Sequence, residues 1–329
     1  MLCGKGECAM SRTAKIWLII AAALVLVGCL AFAVAMTMLN WNFINLSTNK
    51  YETNSYEISE DFGAISVKTD TANVDFVATD SSKCSVECYD REKLRHTVSV
   101  KDGTLVIEIV DTRKWYEYIG INFGSPKITV YLPKGEYGAL SVRGSTGNVE
   151  LTKGLSFKSI DISESTGNVK SYATASGAVK IKTSTGKISV ENISAGSLEL
   201  SASTGNITLT NVTCGGDVRV SVTTGKSVLI NVKCESLETK GSTGGISMDS
   251  VIAKENLSVE RSTGRVSFRG CDASEIYVKT STGNVEGSLL SEKVFITKTD
   301  TGRIDVPSST TGGVCKITTD TGDIKITVG

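Results

Sequence analysis

The sequence predicts an all-β chain. It reads as a parallel β-solenoid of about ten regular rungs, 19 or 20 residues each, with a less regular N-terminal β cap and one transmembrane helix in front. Three observations predict this. Ten Thr-Gly pairs recur at that spacing from Thr146 to Thr321. Apolar and polar residues alternate in fixed columns on both sides of the pairs. The segment Ile16 to Leu39 runs 24 residues without a charge.

The apolar segment comes first. As a helix rising about 1.5 Å per residue it covers roughly 36 Å, enough for a hydrocarbon core of about 30 Å. Lys5, Arg12 and Lys15 precede it against one acid, Glu7, a bias that keeps the N-terminus cytoplasmic and sends the rest across. Trp41 and Phe43 stand where interfacial aromatics belong. Two other readings stay open. Leu26-Val27-Gly28-Cys29 resembles a lipoprotein cleavage box with Cys29 as the lipidated residue, although apolar residues rather than a polar tether follow it. Ala33-Val34-Ala35 suits an ordinary signal peptidase. All three place the remainder outside the cytoplasm. Met10, followed by Ser-Arg-Thr-Ala-Lys, reads as an alternative start. The resulting divisions are a cytoplasmic N-terminus at 1–15, an anchor at 16–39, a linker at 40–55, an irregular β region at 56–142 and regular repeats at 143–329.

The rungs follow from alignment on the glycine. The corners include Thr146-Gly147, Thr166-Gly167, Thr185-Gly186, Thr204-Gly205 and Thr282-Gly283. Two residues after Gly stand Val149, Val169, Ile188 and Ile207; five before it stand Val142, Ile162, Ile181 and Leu200. The intervening positions are mostly Ser, Thr, Lys, Glu and Asp. Period-two alternation means strands with one buried face, two per coil, joined at a corner where Gly supplies positive φ. One coil cannot bury its own apolar face, so coils stack about 4.8 Å apart and pack like on like. The threonines are expected to form an outward hydroxyl ladder that supports the turn. Ser227 and Ile296 break the columns and read as bulges.

Residues 56–142 repeat the pattern loosely. Ile65 to Val74 is a degenerate rung with Ala72 in the glycine place. Val98 to Ile107 reads as a hairpin turning at Asp102-Gly103, and Ile128 to Pro133 leads into the stack. The chain stops at Val328-Gly329 after the last rung, which predicts an open strand edge there and self-association or a partner.

Ile65-Ser-Val-Lys-Thr-Asp-Thr-Ala-Asn-Val, Val100-Lys-Asp-Gly-Thr-Leu-Val-Ile, Ile128-Thr-Val-Tyr-Leu-Pro and the serial Ser-Thr-Gly-Asn-Val turns together resemble the bacterial putative-adhesin family of β-strand-repeat proteins, related to the Toastrack-like envelope domains. The resemblance spans about residues 56–329. It implies an envelope-associated, membrane-tethered solenoid, sometimes linked to adhesion or envelope stress. Its motifs are structural, so it transfers no catalytic or binding residue.

Little in the chain points to chemistry. Net charge is zero with interspersed signs, which disfavours nucleic acid. His96, the sole histidine, lies in a charged stretch and reads as a surface or edge residue. The outward column three after Gly concentrates no carboxylates, so an acid–base pair is missing, and no calcium repeat is present. Neither catalytic residues nor a metal or cofactor is expected. Cys271 and Cys315 fall in buried columns, while Cys84 and Cys88 share one strand face. Cys214 and Cys234 stand one rung apart, about 5 Å between Cα atoms, as packing thiols or a disulfide. Trp115, Tyr116, Tyr118 and Phe123 form an aromatic run, either folded over the core or exposed as an interaction patch. The functional expectation is a non-enzymatic, membrane-anchored interaction surface, scaffold or adhesin whose partner is a protein or an envelope polymer. The alternatives are an envelope-stress sensor or regulator and, least favoured, a carbohydrate-active solenoid enzyme.

Overall fold

The computed structural model describes residues 12–38, 40–41, 50–115 and 124–329. Two compact units divide the chain: residues 1–50 with 113–124, and residues 51–112 with 125–329. In the first, Arg12–Met38 is a helix long and apolar enough to cross a membrane.

The second unit is a parallel β-solenoid. Each coil carries one strand before the Thr-Gly corner and one after it, and each strand pairs in register with its counterparts in neighbouring coils. Ile162 lies between Val142 and Ile181, for example, and Leu200 follows Ile181. The inward columns are almost fully buried from Val142 to Ile317 and form one continuous apolar core. In the coils of Gly186 to Gly264 a second bend follows six residues after the glycine. There Asn192, Asn211 and Asn231 adopt positive φ, which Asn tolerates better than most residues, and their side-chain amides bond from coil to coil at 2.9 Å.

Spatial order departs from sequence order at both ends. The strand Ala64–Lys68 lies between Thr104–Asp111 and Glu136–Thr146, and Asn73–Thr79 lies between Lys127–Pro133 and Val149–Leu151. The degenerate rung with Ala72 is therefore an inner coil, and Ile128 to Pro133 does not lead straight into the regular stack. Antiparallel strands close this end: Tyr51–Ile58 on Cys84–Arg91, and Leu94–Lys101 on Thr104–Asp111, the latter turning at Asp102-Gly103 as expected.

At the other end Gly313–Thr321 inserts between Glu275–Thr282 and Lys293–Thr301, and Ile324–Val328 pairs with both Val285–Leu289 and Ile304–Asp305. The outer pairing covers Ile324 and Lys325 alone, so residues 326–328 keep the expected strand edge on that side, although the coil they belong to is not the outermost one. The outermost coil is that of Thr301, and it places Thr297 and Thr299 opposite Ile317 and Thr319 of the coil beneath. The expected bulges are corrected. Ser227 pairs in register with Ile207 and Ile246 and is fully buried, and Ile296 pairs in register with Lys316 and faces outward.

Candidate interaction surfaces and a buried triad

The corner residues come together as one ladder. Thr146, Thr166, Thr185 and Thr204 are successive Cα partners, and Thr282 continues the same line further along, all of them exposed. Backbone groups carry the ladder: the Gly147 N–H donates to the Thr166 carbonyl, Gly167 to Thr185, Gly186 to Thr204 and Gly283 to Thr321, each at 2.9 Å. Gly167 has φ +150°, and a methyl group there would run into the Gly147 carbonyl, so conformation and coil spacing both demand glycine. The residue after Gly adds a second ladder. The Asn148 side-chain oxygen accepts the Asn168 N–H, and the Asn168 oxygen accepts the Lys187 N–H, both at 2.9 Å. Among the described residues the corner hydroxyls make no hydrogen bond to one another, so backbone and Asn amides do the work assigned above to a hydroxyl ladder.

The outer face of the pre-corner strands is a charge zipper. Arg143 pairs with Asp161, Lys180 with Glu199 at 3.1 Å, and Arg219 with Glu238 at 3.5 Å. All are well exposed, so each pair contributes at most about 1 kcal/mol.

The polar chemistry lies inside. His96 is buried, which corrects its expected surface position. Its Nδ1 lies 2.7 Å from Asp90 Oδ1, its backbone N–H donates to Asp90 Oδ2 at 2.7 Å, and its Nε2 lies 2.9 Å from the Thr69 hydroxyl. With Nδ1 protonated toward the carboxylate, Nε2 accepts from Thr69. Glu164 and Arg261 occupy the inward column three before Gly and were missed by sequence reasoning. Each fills space left by a glycine one coil earlier: Glu164 over Gly144 and Arg261 over Gly241. Gly-to-large pairs one period apart are the signal that could have found them. Neither Glu164 oxygen has a hydrogen-bond partner, and burial pushes its carboxyl up to about 7. Arg261 donates to Ser227 Oγ at 2.8 Å and to the Val222 carbonyl at 3.4 Å.

The cysteines of the solenoid are packing groups. Cys84, Cys88, Cys214, Cys234, Cys271 and Cys315 are buried and free, and burial pushes the Cys88 and Cys234 thiols up to about 12. Trp115 is exposed, whereas Tyr116, Tyr118 and Phe123 of the aromatic run lie outside the described residues, as do Cys3 and Cys8.

A family model, Toastrack DUF4097, matches residues 62–225. That segment belongs to the Toastrack family. Among solved structures the chain is similar to a putative adhesin from Bacteroides fragilis at 16% identity and TM-score 0.44, covering 84% of this chain and 97% of that one. It is also similar to a putative lipid binding protein from Parabacteroides distasonis at 20% identity and TM-score 0.47, covering 73% and 95%, and to a putative adhesin from the same organism at 14% identity and TM-score 0.47, covering 84% and 98%. No curated protein matches the chain.

The Toastrack segment contains the whole Thr69–His96–Asp90 arrangement and Glu164, while Arg261 lies beyond it. The triad has the connectivity of a nucleophile, a base and an orienting acid. Its three residues are at most 6% exposed, so a substrate cannot reach Thr69 Oγ1 without opening the core. The arrangement ties the antiparallel cap to the first inner coil: it joins Leu94–Lys101 to the residue that follows Ala64–Lys68, and the Tyr56 hydroxyl adds a bond to the His96 carbonyl at 3.3 Å.

Proposed function

We propose that this Toastrack chain is a membrane-anchored, extracytoplasmic solenoid that acts as a non-catalytic interaction surface at the cell envelope. In this reading residues 1–15 are cytoplasmic, 16–39 cross the membrane, 40–55 link, and the solenoid presents its outer faces to a protein or an envelope polymer. The observation that carries it is the separation of polar groups. Among the described residues the one arrangement with catalytic connectivity is sealed in the core, while the outer faces offer regular, paired charges and hydroxyls. An apolar helix of membrane-spanning length at the front supports the tether.

The test is crosslinking capture from native membranes with the full chain and with a version lacking residues 1–40. Recovery of the same partners by both supports the surface reading. Partners that need residues 1–40 would favour a sensor or regulator that works through its helix.

A further inference from the structure

Among the described strands the coil-to-coil register slips in one pairing, between Phe268 and Cys271 against Val285–Leu289. The slip falls at Gly270, with φ +56°, and directly follows the position of Gly287. Gly287 stands in the inward column otherwise filled by Phe268 and Ile326, its φ is +145°, and a side chain there would run into the Phe268 carbonyl. A hydroxyl bridges the slip, Ser288 Oγ accepting the Gly270 N–H at 3.0 Å, and on the other, unbroken side the Thr327 hydroxyl donates to the Gly287 carbonyl at 3.3 Å. Such irregularities re-aim side chains and often adjoin binding sites.

A cleft of about 600 Å³ lies over this irregularity on the outer face of the post-corner strands. The ion pair Asp249–Arg269, 3.2 Å apart, lines it, as do Glu286, which pairs with Arg265 at 3.1 Å, and Lys325, the Cα partner of Glu286 on the next strand. Ser247 and Ser267 lie between these charges, and Val228 and Ile230 complete the lining with aliphatic surface.

We propose that this cleft binds a neutral saccharide, which deepens the surface reading above and rests on it. Two acids and two bases cancel, so nothing in the lining favours a phosphate or a polycation. A sugar hydroxyl donates to a carboxylate while accepting from a guanidinium or an ammonium, and the cleft holds both kinds of group side by side. Val228 and Ile230 suit the C–H face of a pyranose ring. The volume falls in the usual range for small-ligand sites, about 300–1,000 Å³. Strand addition by a peptide across the cleft floor does not fit, because Val266–Cys271 and Val285–Leu289 already pair on both sides.

The test uses the full chain in lipid nanodiscs, since maltoside detergents carry the ligand's own chemistry. Maltotriose, cellotriose and tri-N-acetylchitotriose serve as neutral probes and trigalacturonate as the acidic one, read by saturation-transfer NMR and calorimetry. Saturable binding of at least one neutral probe is expected, weakened about tenfold or more by Arg269→Ala and by Glu286→Ala, which is ~1.4 kcal/mol or more. Lys180→Ala, on the other outer face, should leave it unchanged. No binding of any neutral probe at about 10 mM, equal binding by the variants, or preference for trigalacturonate would overturn the proposal. If these fail while both versions of the chain still capture the same crosslinked partners, only the saccharide is lost. Failure of both removes the surface reading as well.

Discussion

Glu164 and Arg261 sit in the same interior column, five coils apart, each in the notch of a glycine one coil earlier, yet the core treats them differently. Arg261 keeps its charge, as guanidinium does in proteins, and reaches Ser227 Oγ and the Val222 carbonyl. Glu164 reaches nothing, and burial raises its carboxyl toward neutrality instead. A stacked-coil interior thus accommodates ionisable groups in two ways. It supplies acceptors, which fixes a charge, or it withholds them, which removes the charge near neutral pH.

The comparison breaks most sharply at the glycines. A methyl group at Gly241 would meet both the Arg261 guanidinium and the Val222 backbone carbonyl, and the carbonyl belongs to the ladder and cannot step aside. Gly241→Ala should cost about 3 kcal/mol or more, because it overpacks the core and dislodges a buried charge from its acceptors. Urea midpoints of the full chain in detergent, variant against parent, measure this. A shift of less than ~1 kcal/mol would mean that the guanidinium has room to move.

The pH dependence of Glu164 comes next. Its folded value of about 7 lies above the ordinary 4.5, so the folded state holds the proton more tightly than the unfolded state. Below about 4.5 both states are protonated and Glu164 imposes no penalty. Between 4.5 and 7 the unfolded state ionises first, and stability falls as pH rises. Above 7 the full penalty applies, about 3 kcal/mol at ~1.4 kcal/mol per pKa unit. Glu164→Gln should flatten this slope and be the more stable form at pH 8. An unchanged slope in denaturation between pH 4.5 and 7 would show that the carboxyl finds water or another partner.

Ser227→Ala is a smaller step on the arginine side. It leaves the guanidinium with the 3.4 Å contact to Val222 alone, so the cost is that of one hydrogen bond to a buried charge, about 1–3 kcal/mol. The same substitution in an Arg261→Met background should cost almost nothing, and that double-mutant difference is the direct measure of the pair.

These residues also mark where the sequence was legible. The columns through Val142, Ile162 and Ile181 and the corner glycines were readable because period two and a fixed repeat leave one arrangement that buries every aliphatic side chain. The order of coils at the ends was not, since every coil presents the same columns. The coil of Thr321 stacks on that of Thr282 as readily as on that of Thr301, and periodicity says nothing about which comes first. Ser227 looked like a slip because its reason, Arg261, lies 34 residues away. His96 looked exposed because its sequence neighbours are charged, whereas its partners Asp90 and Thr69 are brought to it by the antiparallel cap. The asparagine ladder at Asn192, Asn211 and Asn231 was there to be read at the same 19- and 20-residue spacing as the corners.

Gly144→Ala is the mildest test and isolates what the notch itself contributes. Neither Gly144 nor Gly241 has a left-handed backbone, so alanine suits both conformations and only the contacts differ. At Gly144 the three atoms nearest the new methyl group all belong to the Glu164 carboxyl, the end of a rotatable side chain with no hydrogen bond to lose. Turning that carboxyl aside costs little, and the lost freedom of the unfolded glycine returns about 0.4–1 kcal/mol, so the net change should stay within ~1 kcal/mol of zero. The same alanine substitution would then differ in cost by ~2 kcal/mol or more between two notches of one column. Equal costs at Gly144 and Gly241 would mean that coil spacing, rather than the partner of the buried side chain, decides how much each notch tolerates.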